Sequence, residues 1–421
     1  MEAVSTKPII PPVFESAKGS WLISESGVRF FDATAGSGAV SLGHQHPCVV
    51  NACTQQIGNL IHTGCKLNSS IRVRLAEKIS SLVPIKNASV LFSVIGTEAV
   101  ESSFKIARSH TKRSKIICFE HAYHGKSHDA LGTTWRSSFK EFSRINDADY
   151  VRFPLPYVQG CEDDIDLVHD LDSRIADSLS RYEDFLLDCA GQGDSALPAA
   201  FIIEPIQVTE GVLLPPRQFV EGLIALSREH GVISIIDEIY TAFGRCGSLF
   251  YCDTLSVVPD MMLLGKSMAN GFPISLVAGG DEIMKSLPSG TQTSTYSGSP
   301  LSAAAALAVV DFVVENEIWH TANENGLWMK NLLEHLQSKY SLTLEIRQRG
   351  MLLAFEFKKD GENVAGLAKQ FIKFAFNNGL LLFGGGYNNE NIKVIPPILL
   401  DEVEKKFLEI SLDKTFNDLF R

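Results

Sequence analysis

Metal-binding patterns are missing from this chain of 421 residues. Its eight cysteines, Cys48, Cys53, Cys65, Cys118, Cys161, Cys189, Cys246 and Cys252, are scattered and form no C-x-x-C pair. No histidine cluster has zinc-ligand spacing, so no metal site is expected. Cysteines spread in this way point to reduced thiols and a cytoplasmic protein. Long apolar runs are missing as well. Spanning a bilayer takes roughly 18 apolar residues, and the most tempting stretch, Ala303 to Val310, is stopped by Asp311. The opening residues, Met1 to Phe14, are rich in proline and lack the apolar centre of a signal peptide. No membrane partner is expected, and the sequons at Asn68 and Asn87 read as chance matches. Basic charge is also short: 38 basic residues face 49 acidic ones, a net charge of −11. That excludes the electrostatic footprint of a nucleic-acid binder. Part of the acidity is local. Glu162-Asp163-Asp164-Ile165-Asp166 and the helical-looking stretch to Asp188 read as a solvated surface insertion.

What is present is an ordinary globular composition, 45% hydrophobic and 21% charged, able to bury a sizeable core. The length suggests two or three domains, or one large α/β unit with a satellite. The middle of the chain alternates short apolar runs with amphipathic stretches. Strands are expected at Ser89–Ser93, Lys115–Phe119, Ala199–Ile203, Val232–Ile236 and Met261–Leu264. Helices are expected at Thr97–Ser109 and Pro216–His230, the second ended by Gly231. This alternation predicts an α/β fold with a mainly parallel sheet covered on both faces. From Ser302 the pattern changes. One long helical stretch to about His335, strands at Leu344–Arg347 and Leu352–Phe357, a helix over Val364–Asn377 and a tail helix over Leu400–Arg421 suggest a smaller α+β domain. Strand character at Trp21–Ile23 and Arg29–Phe31 suggests an N-terminal segment packed on that domain. The expected division is therefore 1–45, 46–301 and 302–421.

Four features carry chemistry. Gly96-Thr97-Glu98-Ala99 falls between a strand and a helix, where unpaired N–H groups and the helix dipole favour a phosphate; Thr97 equally suits a simple helix cap. Asp237-Glu238 ends an apolar strand, where a carboxylate needs a cationic partner or serves a structural ion pair. Lys266 follows the strand Met261–Leu264, and apolar surroundings favour the free amine that imine formation needs. A lone lysine is otherwise a surface charge. Tyr123-His124-Gly125 follows another strand, and its ring can stack on a flat cofactor or pack as an ordinary tyrosine. Two imitations are set aside. Gly265-Lys266-Ser267 resembles a P-loop fragment, but Asp260 stands where that loop needs glycine. Gly36-Ser37-Gly38 begins a dinucleotide fingerprint, but Ser41 replaces its third glycine. The four features, in this order on one predicted sheet, describe a single site.

The ordered motifs resemble those of the class III (ω-type) aminotransferases, enzymes of pyridoxal 5′-phosphate (PLP) fold type I. The matching runs are Ser41-Leu42-Gly43-His44-Gln45-His46-Pro47, Gly96-Thr97-Glu98-Ala99, Ala122-Tyr123-His124-Gly125, Ile203-Glu204-Pro205-Ile206-Gln207, Ile236 to Ile239, Thr241 to Arg245, Leu264-Gly265-Lys266, Thr295 to Pro300, and Pro396-Pro397. The resemblance implies PLP as cofactor, bound to Lys266 as a Schiff base, with Lys266 later shuttling the proton. It further implies that Asp237 pairs with the pyridinium nitrogen, that Tyr123 stacks on the ring within the motif shared with His124, that Gly96 and Thr97 hold the phosphate, and that Glu204 lines the site. Thr295 resembles the residue that reaches the phosphate of the other subunit's cofactor, which implies a homodimer. The implied reaction is ping-pong transamination between an amine or amino-acid donor and a carbonyl acceptor; an aminomutase, racemase or decarboxylase on the same fold is the alternative. Three positions depart from the pattern. Tyr240 replaces a glutamine that touches the cofactor's 3′-oxygen. Lys393 replaces an arginine that grips a carboxylate, and lysine lacks its bidentate fork. Thr209 replaces a glutamate that pairs with that arginine. A more specialised amine or amino-acid substrate is expected.

Overall fold

A computed structural model describes residues 12–141, 143–157 and 170–421. Cys161, the acidic run Glu162 to Asp166 and most of the proline-rich opening lie outside the described residues. The apolar runs of the middle region form a seven-stranded sheet. Its spatial order is Ala88–Ser93, Ser275–Gly280, Met261–Leu264, Ile233–Asp237, Ala200–Ile203, Ile116–Phe119 and Tyr150–Phe153. The strands from Met261–Leu264 to Tyr150–Phe153 are parallel, and Ser275–Gly280 runs antiparallel to both its neighbours. Every residue of the Ile116–Phe119, Ala200–Ile203, Ile233–Asp237 and Met261–Leu264 strands is buried. Alternation sends Ile117, Phe119, Phe201, Ile203, Ile236, Met262 and Leu264 into one core and Ile116, Cys118, Ala200, Ile202, Ile235, Met261 and Leu263 into another. A strand with period 2 and two apolar faces requires a cover on each side. Helices Gly96–Thr111 and Arg217–Glu229 lie among those covers, and Gly231 follows the second at φ +62°.

The long helical stretch beyond Ser299 is two helices, Pro300–Glu315 and Trp319–Lys339. They part at a turn where Glu317 adopts φ +45° and Asn316 Nδ2 donates back to the Phe312 carbonyl at 2.8 Å. Apolar residues continue on both sides of that turn, which is why periodicity runs straight through it. The first of the two is buried on nearly all sides and packs on helices Pro47–Asn59 and Ser70–Leu82. It therefore joins the large sheet's layers, and the change of architecture falls after Glu315.

The C-terminal region forms a five-stranded antiparallel sheet from Thr343–Arg349, Leu352–Lys359, Asn391–Val394, Phe383–Gly385 and the short Glu362–Asn363. The N-terminal strands Phe14–Lys18, Trp21–Ser24 and Arg29–Asp32 join this region through a parallel pairing with Leu380–Leu381. Aromatic contacts reinforce the seam. Trp21 meets Phe407 at 4.7 Å between ring centroids, and Phe30 stacks on Phe376 at 5.1 Å. Glu404 closes it. Its carboxylate accepts from Asp401 N at 3.1 Å, completing a capping box on the tail helix Glu402–Phe420, and from the buried Ser20 N at 2.9 Å. Glu404→Ala is expected to lower stability by about 2 kcal/mol, because a cap is lost and a buried N–H is left without a partner. Urea unfolding followed by circular dichroism checks this; an unchanged midpoint would contradict the strap.

Candidate active site

The carboxyl ends of the parallel strands bring the site together, as open α/β sheets do. Gly96, Thr97, Tyr123, His124, Glu204, Thr209, Asp237, Tyr240 and Lys266 all line one cavity of about 320 Å³. Lys393 lines an adjoining cavity of about 340 Å³, which shares Tyr123, Thr209, Tyr240 and Lys266 with the first. Thr295 lines neither cavity and is exposed.

Thr97 is no helix cap. The cap position of helix Gly96–Thr111 is Ile95, which makes no side-chain cap bond. The Thr97 hydroxyl instead pairs with Ser127 Oγ at 2.5 Å, and Ser127 donates to Glu101 Oε1 at 2.5 Å. A side chain at Gly125, which has φ +131°, would run into the Thr97 hydroxyl. The first turn of the helix therefore presents N–H groups and a fixed hydroxyl to the cavity.

The strand Ile233–Asp237 explains why only one of two neighbouring carboxylates faces the cavity. Successive side chains point to opposite faces. Asp237 enters the cavity, where Oδ2 meets His124 Nδ1 at 2.7 Å and Oδ1 accepts from Ile239 N at 3.1 Å. Glu238 turns away and accepts from Tyr251 N, Cys252 N and Thr241 Oγ1 at 2.8, 2.8 and 2.9 Å. It is a structural carboxylate. His124 is thus placed beside Asp237, fixing its orientation.

Lys266 follows Gly265 with φ +39°, a left-handed backbone that lysine rarely adopts. Its Nζ lies 3.3 Å from the centroid of the Tyr240 ring. Burial pulls the amine down to about 7, against the opposing charges of Glu204 and Asp237, with Lys393 and Arg245 pushing it further down. Glu204 moves the other way: burial, then the Asp237 charge, hold it well above the usual carboxylate range. Its Oε1 accepts from Tyr123 N at 2.7 Å, which anchors the strand end carrying the ring. Tyr240 is also pushed up, mainly by burial.

Sequence reasoning missed several neighbours. Ser127 and Glu101 back Thr97, and Ile239 lines the first cavity. More telling is Arg136, whose guanidinium pairs with Glu210 Oε1 at 2.9 Å and donates to the Gly386 carbonyl. Glu210 Oε2 and Arg136 Nε are buried without hydrogen-bond partners. Burial lowers Lys393 to about 8, with Glu210 opposing and Arg136 adding to the shift. Arg136 sits in a polar stretch 74 residues from Glu210, and no local pattern links the two.

Residues 2–413 match the model of the family described as aminotransferase class-III. The chain is 32% identical over 418 residues to a 5-aminovalerate aminotransferase of Pseudomonas aeruginosa, covering 98% of this chain and 95% of that protein. It is 30% identical over 416 residues to an alanine/serine racemase of Pyrococcus horikoshii, covering 96% and 85%. A thermostable (S)-enantioselective ω-transaminase from Thermomicrobium roseum superposes with a TM-score of 0.86 at 25% identity, covering 98% of this chain and 93% of its own. The α/β architecture is PLP fold type I, and the chain belongs to the class-III aminotransferases, with pyridoxal 5′-phosphate as its cofactor.

Proposed function

We propose that this chain carries out ping-pong transamination, with Lys266 as the residue that bonds the cofactor and then moves the proton. The observation that carries this reading is a buried lysine amine, held at about 7, in one cavity with Asp237 and the start of helix Gly96–Thr111. The residues fit the cofactor. Gly96 has no side chain to block a phosphate at the helix start, and a Cβ there would press on Ile239 at 3.0 Å. Asp237, steadied by His124, suits a protonated ring nitrogen, and Tyr123 presents an aromatic face. Bound PLP supplies an electron sink for the bond that breaks at the substrate carbon. The chain supplies the rest. Asp237 keeps the ring nitrogen protonated, Thr97 and Gly96 hold the phosphate, and Lys266 takes a proton from the substrate carbon and returns it one atom away. Glu204 accepts from Tyr123 N and keeps that segment in place, and the Tyr240 hydroxyl is the group that would donate to the cofactor's 3′-oxygen.

In this reading residues 46–301, with helix Pro300–Glu315 packed against them, hold the cofactor, while 1–45 and the chain beyond that helix close the substrate end. Thr34, Ser37, Phe383 and Lys393 all line the second cavity, which supports that division. The donor is an amine or amino acid and the acceptor a carbonyl compound. Lys393 grips a carboxylate on either, and Thr209 lines both cavities beside it. The relative acting on 5-aminovalerate supports an amino acid with a remote carboxylate. The active unit is a homodimer in which Thr295 reaches the phosphate of the partner's site. Exposed apolar side chains support this: Tyr296, next to Thr295 in the chain, is 66% exposed and contacts His62, and Ile95, which precedes Gly96, is 54% exposed. The protein is placed in the cytoplasm, which accords with the unbridged state of the seven described cysteines. The likeness to a racemase keeps one second reading, racemisation at the same lysine.

Lys266→Ala is expected to remove the visible absorbance of lysine-bonded cofactor, leaving only the band of unbonded cofactor, and borohydride should no longer fix cofactor to the chain. In the wild type, covalent capture of added cofactor should quicken about tenfold from pH 6 to pH 8, because the free-amine fraction rises from about a tenth to about nine tenths across a value near 7. A lysine-bonded band that survives in Lys266→Ala would refute the assignment. A panel of amine donors, read as carbonyl product formed, separates the two reactions: racemisation releases none. Lys393→Ala should reduce kcat/KM for carboxylate-bearing donors by about tenfold or more and leave plain amines within about twofold, the cost of one charge-assisted hydrogen bond. Equal losses on both donor types would remove Lys393 from substrate binding.

A further inference from the structure

The contact between Lys266 and Tyr240 is the least expected feature of the site. The Lys266 nitrogen lies 3.3 Å from the ring centroid, well inside the roughly 6 Å reach of a cation over an aromatic face. The glutamine expected at this position has no such face. The ring is held in place by backbone. Gly38, at φ +81°, carries no side chain, and any Cβ there would run into the ring and its hydroxyl. The same Gly38 accepts from Ser267 Oγ at 3.2 Å, and Ser267 in turn accepts from Ser41 Oγ at 2.6 Å. The turn Ala35–Gly38 thus sets both the ring and the residue that follows Lys266.

The surrounding charges leave a role for that face. Glu204 stands at the end of Ala200–Ile203, and burial followed by the Asp237 charge pushes its carboxyl well above the usual range. Asp237, at the end of Ile233–Asp237, is engaged by His124 and Ile239 N. Lys393 on Asn391–Val394 and Arg245 in the following turn repel an ammonium, and Asp32 acts on the ring from the N-terminal sheet. The Lys266 amine therefore sits among two carboxylates, two cations and the Tyr240 face. An aromatic face attracts a cation without imposing a lone-pair direction. A lysine held there keeps the freedom to swing that proton transfer between two atoms requires.

We propose that the face of Tyr240 is the holding place of the Lys266 amine whenever it is not bonded to the cofactor, which makes Tyr240 a positioning residue for proton transfer. This rests on Lys266 being the reactive amine, but its test needs no turnover. The full-length chain, freed of cofactor and labelled at lysine Cε, is titrated by NMR, with the Lys266 signal assigned by its loss in Lys266→Ala. Tyr240→Gln should shift the Lys266 midpoint down by about one unit or more, the size of a desolvated cation–π contact. Tyr240→Phe, which keeps the face and loses the hydroxyl, should stay within a few tenths of wild type. An unchanged or raised midpoint in Tyr240→Gln overturns the proposal. So does a fall in Tyr240→Phe as large as in Tyr240→Gln, because the hydroxyl would then be responsible. Should Tyr240→Gln fail to fold, Tyr240→Leu, which removes the face and keeps an apolar side chain, takes its place: a fall of about one unit supports the ring face, and an unchanged or raised midpoint overturns it. A failure here leaves the visible-absorbance test of Lys266 untouched.

Discussion

Keeping one amine out of water governs this molecule. An ammonium ion in a cavity loses its hydration, and the lost solvation favours the neutral base. Lys266 is in that position, and its neighbours are arranged so that the loss is only partly offset. Two carboxylates lie close, yet one is pushed well above the usual carboxylate range by burial and by the other's charge, and the other is shared with a histidine. Two cations, Lys393 and Arg245, add to the downward pressure. An amine lowered to about 7 follows from burial first and charge second.

Burial of this kind needs a floor and walls, and the parallel sheet provides them. All-buried strands run to their carboxyl ends and stop at the site, so Tyr123, Glu204, Asp237 and Lys266 arrive on one edge from separate segments of chain. The pleat then sorts neighbours. Asp237 faces the cavity and Glu238 caps a turn with three hydrogen bonds, although the two are adjacent in the chain. Glycine does the complementary work at Gly125 and Gly38, where absent side chains leave room for the Thr97 hydroxyl and the Tyr240 ring.

The substrate end is built differently. Its groups come from both terminal regions and from loops: Ser37, Phe139, Thr209, Phe383 and Lys393 line the second cavity. The arginine–glutamate pair there is Arg136 with Glu210, one residue beyond Thr209. Lys393 lies within reach of the charges of that pair and of Glu204, so both signs of charge meet at this end of the site.

Much of the cofactor end was legible in the order of residues. Apolar runs of four to six residues located the strands, glycine and hydroxyl types marked the cradle, and the lysine stood after the right strand, because these signals are local and set by backbone geometry. The same locality explains what could not be read. The turn at Glu317 splits a helix without breaking its apolar pattern. Ser127 and Glu101 reach Thr97, and Arg136 reaches Glu210, only after segments remote in the chain are folded together. The sequence by itself determined the α/β class and five of the sheet's seven strands, while Tyr150–Phe153 and Ser275–Gly280 carried no signal that was read. Tertiary structure alone decided which carboxylate of 237 and 238 enters the site, what charge surrounds Lys393, and that the Lys266 amine rests on an aromatic face, because burial and long-range pairing exist only once the chain has closed on itself.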